Sequence, residues 1–522
     1  MTASSEELPF RPWLLLPGIA FAALCFFLAS GLPFATPTQA YQGSMTAAVT
    51  GLVAWCWLSG ALPLAPASLL PLGLFPLLGA QRTKEVAVGY SDPILWMFFG
   101  GFVLALAIER AGLHRRVALR TIALFGVRPR RLVLGFMMAS VLISMWINNT
   151  AVSLMLLPIG WAVVQRMEQE GLMAAADARR VAAAIMLAIA WGASIGGIAT
   201  PIGTAPNLIF FSNYQPMVSA GKAAPVTFLD WMFAFVPLAL LLAVVSWWLL
   251  VAYFRLPKGN RSAGREILEE VAALPRMNQA EWTVLLLFGL TVLGWVTRGE
   301  FRIGDGASIP GTGWGRAAEN LLSLPRERDD FVQDGSLAVL AAALAFVLPM
   351  QGWSGPRLMD WPTARKMPLE ILFLIGGGVA IAGAFERTGL SAAIGVAMKP
   401  TLTACPAWLA VVLTTGLLTL LTEFTSNTAI NSLMLPILAS IAGAAGFDPR
   451  LLMLPCTVAA SCGFALPVGT PPNTVVFSTG KVRMRDMVGS GILLDLISIA
   501  VISAWMWFFV VPALGIRVRG GT

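Results

Sequence analysis

The sequence predicts an all-α integral membrane protein made of two related halves. Three observations predict it: an apolar composition, recurring runs of membrane-spanning length, and an internal repeat. Hydrophobic residues occupy 57% of the 522 positions and charged residues only 12%, with a mean hydropathy of +0.77. A soluble globular chain carries about 25% charged residues. Apolar runs of roughly 17–25 residues, the length a helix needs to cross a bilayer, recur from Pro12 to Val511. No polar stretch between them could fold as a separate soluble domain, so the chain reads as one membrane domain in contact with lipid. The basic excess, net +8, then records which loops face the cytoplasm and does not indicate nucleic-acid binding.

The first run, Pro12 to Leu32, is preceded by Glu6 and Glu7 against a single Arg11. That flank and a long apolar core fit a retained span better than a cleaved signal peptide. Cys25, Cys56, Cys405, Cys456 and Cys462 lie in or beside apolar segments without paired metal spacing and read as small core residues.

Three pairs of segments define the repeat. "ILWMFFGGFVLALAIERAGL" (Ile94 to Leu113) returns as "ILFLIGGGVAIAGAFERTGL" (Ile371 to Leu390), with the glycines and the "ER-x-GL" ending in register. "NNTAVSLMLLPI" (Asn148 to Ile159) returns as "SNTAINSLMLPI" (Ser426 to Ile437), and "GIATPIGTAPN" (Gly197 to Asn207) as "GFALPVGTPPN" (Gly463 to Asn473). Similarity of that length, three times in one order, marks a duplication.

Charge placement orients the halves. His114 to Arg131 holds six arginines and no acid, and belongs at the cytoplasmic face, whereas Arg298 to Asp334 has seven acids against five basic residues and suits the outside. This works only if Leu132 to Arg166 enters and leaves on one side. It is therefore expected to form a re-entrant hairpin with Asn148-Asn149-Thr150 at its turn. Leu402 to Ala445 forms the counterpart around Ser426-Asn427-Thr428, dipping in from outside. The halves are then inverted repeats, an arrangement that recurs in secondary transporters, with the N-terminus cytoplasmic and the C-terminus external. The boundaries follow as a first segment 1–45, a first repeat 46–255 (hairpin near 132–166, broken helix near 181–220) and a cytoplasmic linker 256–281. A second repeat 282–511 (external loop 298–334, hairpin near 402–445, broken helix near 451–480) and a tail 512–522 complete the chain.

Irregular backbone at membrane depth is tolerated only where protein or a wet cavity satisfies it, so each polar turn implies a lined site. Asn149, Thr150, Asn427 and Thr428 are expected to cap the second helix of each hairpin and aim its positive end inward, where it attracts anions. Pro206 and Pro472 are expected to break the incoming helix of each Gly-Thr-x-Pro-Asn segment, and Asn207 and Asn473 to start the next. The freed carbonyls of Gly203 and Gly469 then offer hard oxygens to a cation such as Na⁺. The sequence places no Lys or Arg near either turn, which favours an anion carried together with Na⁺. Asn and Thr can also simply glue helices together, but two copies, each followed by a broken helix, favour a site.

The paired turns and Gly-Thr-x-Pro-Asn segments resemble the divalent anion:Na⁺ symporter family, carriers of di- and tricarboxylates and in some members sulfate, over roughly Thr46 to Val511. The resemblance implies about eleven spans, two opposed hairpins, and a scaffold and a transport domain that moves as an elevator. It further implies a homodimer in a bacterial cytoplasmic membrane, at least two Na⁺ ions and no organic cofactor. A first Na⁺ site is implied at Ser144, Asn148, Asn149 and the Gly203 carbonyl, and a second at Thr422, Ser426, Asn427 and the Gly469 carbonyl. The substrate is expected at Asn149, Thr150, Asn427 and Thr428, with Thr204, Thr470 and Pro471 nearby. Asn148 departs from the family's serine.

Na⁺-coupled symport of di- or tricarboxylates is the favoured function. An exchanger of the same fold, a sulfate carrier and a channel are the rivals. An intramembrane enzyme needs a nucleophile–base pair or a metal cluster, and His114 is the only histidine. Glu423 is an intramembrane acid, which points to a functional or supporting role. Glu109-Arg110 and Glu386-Arg387 read as local ion pairs, and the stretch from His114 as an arm lying along the membrane surface. The Asn148-x-Thr150 sequon lies at membrane depth and is not read as a glycosylation site.

Overall fold

The computed structural model describes residues 12–169, 174–219, 221, 223–258, 265–299, 302–303, 307–308, 313–321, 332–352, 354–404 and 406–518. Residues 1–11 and 519–522, Cys405, part of the 256–281 linker and much of the 298–334 loop lie outside that set. Two sets of seven helices follow one another in the same order. The first comprises α1 (Pro93–Ala111), α2 (Leu113–Phe125), α3 (Pro129–Ser144), α4 (Asn149–Gln169), α5 (Ala175–Ile198), α6 (Ala205–Ser219) and α7 (Phe228–Tyr253). The second comprises α8 (Leu369–Arg387), α9 (Leu390–Ala404), α10 (Ala407–Thr422), α11 (Asn427–Ala445), α12 (Arg450–Ala460), α13 (Pro471–Phe477) and α14 (Met484–Trp505). Further helices, among them Leu15–Ser30, Pro37–Ser59, Leu64–Leu77, Gln279–Arg298 and Asp334–Val347, surround these sets. Among the described residues eight helices are long and apolar enough to cross a bilayer, and five shorter apolar helices accompany them.

The repeated glycines explain how the first helix of each set ends and packs. Asp92 accepts a hydrogen bond from the Ile94 N–H (2.9 Å) with Pro93 opening α1, a favourable helix start. The glycine of each "ER-x-GL" closes α1 and α8 in the left-handed region, Gly112 at φ 76° and Gly389 at φ 77°, where only glycine is unstrained. Midway along, a Cβ on Gly100 would lie 2.4 Å from the Ala338 backbone, and one on Gly377 would lie 2.5 Å from the Ser68 carbonyl. Helices Asp334–Val347 and Leu64–Leu77 therefore cross α1 and α8 at a closeness only small residues permit.

The innermost layer consists of the incoming arms of the two interrupted helices. Every residue of α5 from Val181 to Ile198, and every residue of α12, is buried. The halves interlock around them: α13 packs on α4 and α5, and α6 packs on α11. Asn431 Nδ2 on α11 donates to the Pro206 carbonyl at 2.9 Å, so each hairpin rests on the other half's broken helix.

The basic arm is helix α2. Helix α2 docks on α3 and on helix Arg265–Ala273. Arg116, 5% exposed, donates from Nε and Nη2 to both carboxylate oxygens of Glu281 (2.6 and 3.0 Å) and from Nη1 to the Pro275 carbonyl (2.9 Å). A buried bidentate pair of this kind costs about 3–5 kcal/mol when one partner is removed, so the arm is anchored. Cys56, Cys456 and Cys462 are buried and Cys25 partly so, in line with small core residues.

Candidate functional site

Each hairpin turn brings the end of one helix against the start of the next, and the two turns do so through the same contact. Ser144 Oγ, at the end of α3, donates to Asn149 Oδ1 at 2.7 Å. Thr422 Oγ1, at the end of α10, donates to Asn427 Oδ1 at 2.6 Å. Ser144 and Thr422 are fully buried, while Asn149 and Asn427 are half-buried.

The expected caps are corrected by one position. Asn149 and Thr150 are the first two helical residues of α4, and the cap is Asn148, whose Oδ1 accepts from the Thr150 N–H at 2.9 Å. In α11, Ser426 holds the cap position without a side-chain cap bond, and Asn427 and Thr428 follow it. The physical reason is register: an asparagine in the cap position satisfies the orphan N–H groups, which leaves the next asparagine free to turn sideways. Asn149 Nδ2 accordingly reaches Thr204 Oγ1 at 3.5 Å.

The breaks are corrected similarly. The incoming helices stop at Ile198 and Ala460, before the prolines. Pro206 and Pro472 sit in the first turn of the outgoing helix, where a missing N–H is harmless. Thr470 caps α13 by accepting from the Asn473 N–H at 3.4 Å. Asn207 and Asn473 do not start these helices; they stitch the break. Asn207 Nδ2 donates to the Gly197 and Thr200 carbonyls (2.9 and 2.8 Å), and Asn473 Nδ2 to those of Gly463 and Leu466 (3.1 and 3.0 Å). These bonds satisfy carbonyls that a helix end otherwise leaves open. A Cβ on Gly197 would lie 2.7 Å from Asn149 Oδ1, so glycine there admits the turn asparagine.

Asn148, Thr150, Gly203 and Thr204 line one cavity of about 670 Å³, together with Arg110 and Lys366. Ser144 and Asn149 do not line it; they meet each other, and Asn149 reaches Thr204 on the cavity wall. Asn427, Thr428, Thr470 and Pro471 are not among the residues lining that cavity; they gather around the second turn and break. Lys366 and Arg110 thus share a cavity with Asn148, although the sequence places no Lys or Arg beside either turn. Nothing in the sequence signals it, because both are distant from Asn148 along the chain. Arg110 also pairs differently than expected, with Asp360 at 2.5 Å. Hydrogen bonds from Thr363 and then the Arg110 guanidinium hold the Asp360 carboxyl below the usual carboxylate range.

Glu423 braces the second break: Oε1 accepts from the Ala465 N–H (2.9 Å) and Oε2 from the Leu466 N–H (2.7 Å). Asp495 on α14, not singled out in the sequence, accepts from the Phe464 N–H at 3.1 Å. A lone acid in the apolar run "ILLDLIS" was the available signal.

Residues 13–513 match the family described as the sodium:sulfate symporter transmembrane region. The chain belongs to that family. This sodium:sulfate symporter family member is 34% identical over 509 residues to the sodium-dependent dicarboxylate transporter SdcS of Staphylococcus saprophyticus, covering 96% of this chain and 93% of that one. It is 33% identical over 521 residues to SdcS of Staphylococcus aureus, covering 99% and 95%. Two solved membrane proteins share its fold. MtrF of Neisseria gonorrhoeae, described with a class of antimetabolite efflux pumps, aligns with a TM-score of 0.54 at 13% identity over 97% of each chain. The YdaH transporter of Alcanivorax borkumensis aligns with a TM-score of 0.55 at 15% identity over 95% of this chain and 97% of that one.

The symporter family member offers oxygen donors at both turns: a hydroxyl, an amide oxygen and the carbonyls of an unwound segment. Asn207 Oδ1 and Asn473 Oδ1 add two buried acceptors without a hydrogen-bond partner. Hard, uncharged oxygens of this kind suit an alkali cation.

Proposed function

We propose that this protein couples the movement of dicarboxylates across the cytoplasmic membrane to Na⁺ entering with them. The observation that carries the reading is the doubled hydroxyl–amide contact, Ser144 with Asn149 and Thr422 with Asn427, each beside an interrupted helix. Two equivalent oxygen clusters match two coupling ions, and a dianion gains from both cations and from the positive ends of α4 and α11. Membership of the symporter family and likeness to the SdcS transporters support the same substrate class.

In this reading the first Na⁺ lies among Ser144, Asn148, Asn149 and the Gly203 carbonyl, and the second among Thr422, Ser426, Asn427 and the Gly469 carbonyl. The substrate carboxylates meet Asn149, Thr150, Asn427 and Thr428, flanked by Thr204, Thr470 and Pro471. The halves insert in opposite directions, the hairpins move against the scaffold as an elevator, and two copies pair. The large cavity beside Asn148 and Thr150 is the cytoplasmic access route. Uptake of labelled succinate, malate, citrate and sulfate into proteoliposomes, with a Na⁺ gradient or with choline, tests the function. Saturable dicarboxylate uptake that requires the gradient is the expected result. Uptake driven equally by internal dicarboxylate without Na⁺ would establish the exchanger instead, the rival that Asn148 at the family's serine position keeps open.

A further inference from the structure

The two breaks are held from behind by different chemistry. In the first half, the Thr200 hydroxyl donates to the Met145 carbonyl and Trp231 Nε1 on α7 donates to the Ile198 carbonyl at 3.0 Å. In the second half the positions of Thr200 and Met145 carry Leu466 and Glu423: the broken helix again donates and the hairpin accepts, but the side chain now comes from the hairpin and the backbone from the broken helix. Glu423 takes the N–H groups of Ala465 and Leu466, and Asp495 takes that of Phe464. Three successive amides of the unwound segment are thereby fixed by two carboxyl groups, one from the hairpin and one from α14. Both acids are buried, Glu423 at 5% and Asp495 at 8% exposure.

The clamp touches the proposed second cation site on two sides. Glu423 follows Thr422 directly, and Thr422 Oγ1 donates to both Asn427 Oδ1 and the Ala460 carbonyl (2.6 and 2.8 Å). A Cβ on Gly469 would lie 3.1 Å from Glu423 Oε2, so the residue offering the carbonyl ligand rests against the carboxylate. The first site is backed differently, by the neutral donors Thr200 and Trp231 on the carbonyls of Met145 and Ile198, and Met145 stands at the position of Glu423.

We propose that Asp495, acting through the Phe464 amide beside those that Glu423 holds, is a positioning residue of the second cation site, which is thereby preformed. Preorganised ligands bind tighter because less ordering is required, and partners that orient ligands typically set about 10–100-fold in ion affinity. The inference rests on the Na⁺ reading given above.

The test compares Asp495→Asn, Asp495→Ala and Asp495→Leu in the full-length protein. Half-saturation by Na⁺ is read from Na⁺-dependent thermal stabilisation and from uptake, and the substrate KM is measured at saturating Na⁺. Asn keeps an oxygen for the Phe464 N–H, so D495N should stay within about twofold of the parent. D495A and D495L should raise Na⁺ half-saturation about tenfold while KM at saturating Na⁺ changes little. D495A leaves room for water and keeps the test alive if D495L fails to fold. Unchanged Na⁺ half-saturation in D495A, or equal losses in Na⁺ affinity and substrate KM in D495N and D495A, would overturn the inference while Na⁺-dependent uptake by the parent stands. A parent protein indifferent to Na⁺ in both assays would overturn the function reading as well.

Discussion

The two halves agree at the front of the site and differ behind it. At the front, a buried hydroxyl meets the turn asparagine in both, and a second asparagine stitches each break through two carbonyls. Behind, one half uses a threonine hydroxyl and a tryptophan N–H on two carbonyls and the other uses two carboxyl groups on three amides. Groups that must present the same oxygens are held to the same residue types. The backing is held only to the rule that polar backbone inside a membrane protein finds some partner, and many partners satisfy that rule.

Breaking the shared front should cost most. Asn149→Ala or Asn427→Ala should lower Na⁺-driven uptake about 100-fold or more; either variant retaining near-parent uptake would mean the two fronts are not equivalent parts of one site. Filling the glycines behind the turns comes next and should separate the halves. A Cβ on Gly197 meets Asn149 Oδ1 at 2.7 Å, whereas on Gly463 the nearest atom is Thr422 Cγ2 at 3.1 Å. Overpacking costs about 1–3 kcal/mol, so Gly197→Ala should lose clearly more uptake than Gly463→Ala, measured side by side in proteoliposomes. Thr200→Val removes one tie of the first half and should lower stability by about 1 kcal/mol, seen as a lower thermal midpoint in detergent. Leu466→Thr should restore nothing in the second half, where Glu423 already occupies the amides. The smallest effect belongs to Lys366→Gln in the cavity of the first half. It should raise the dianion KM about two- to threefold at low salt, and the difference should shrink as added salt screens the charge.

Much of this was legible along the chain. The duplication, the helical hairpins and the interrupted helices follow from residue spacing and charge, whereas the grouping of Ser144 with Asn149 and of Thr422 with Asn427 follows from the family resemblance. The glycine of "ER-x-GL" announced each helix end because few other residues adopt a positive φ. Local capping was read one residue late at Asn149, because Asn148 and Asn149 are equally good caps by type and only the backbone decides between them. The prolines were read as breakers, although proline is equally at home in a first turn.

By itself, then, the sequence determined that this is a duplicated, all-helical membrane protein with two polar interruptions per half, because bilayer length, hydrophobicity and turn chemistry are local properties. The tertiary structure alone decided which distant groups meet: Arg116 with Glu281, Arg110 with Asp360, Lys366 with the Asn148 cavity, and Asp495 with the second break. Those encounters depend on how helices far apart in the chain cross, and crossing is set by packing of buried surfaces that no short stretch of sequence encodes.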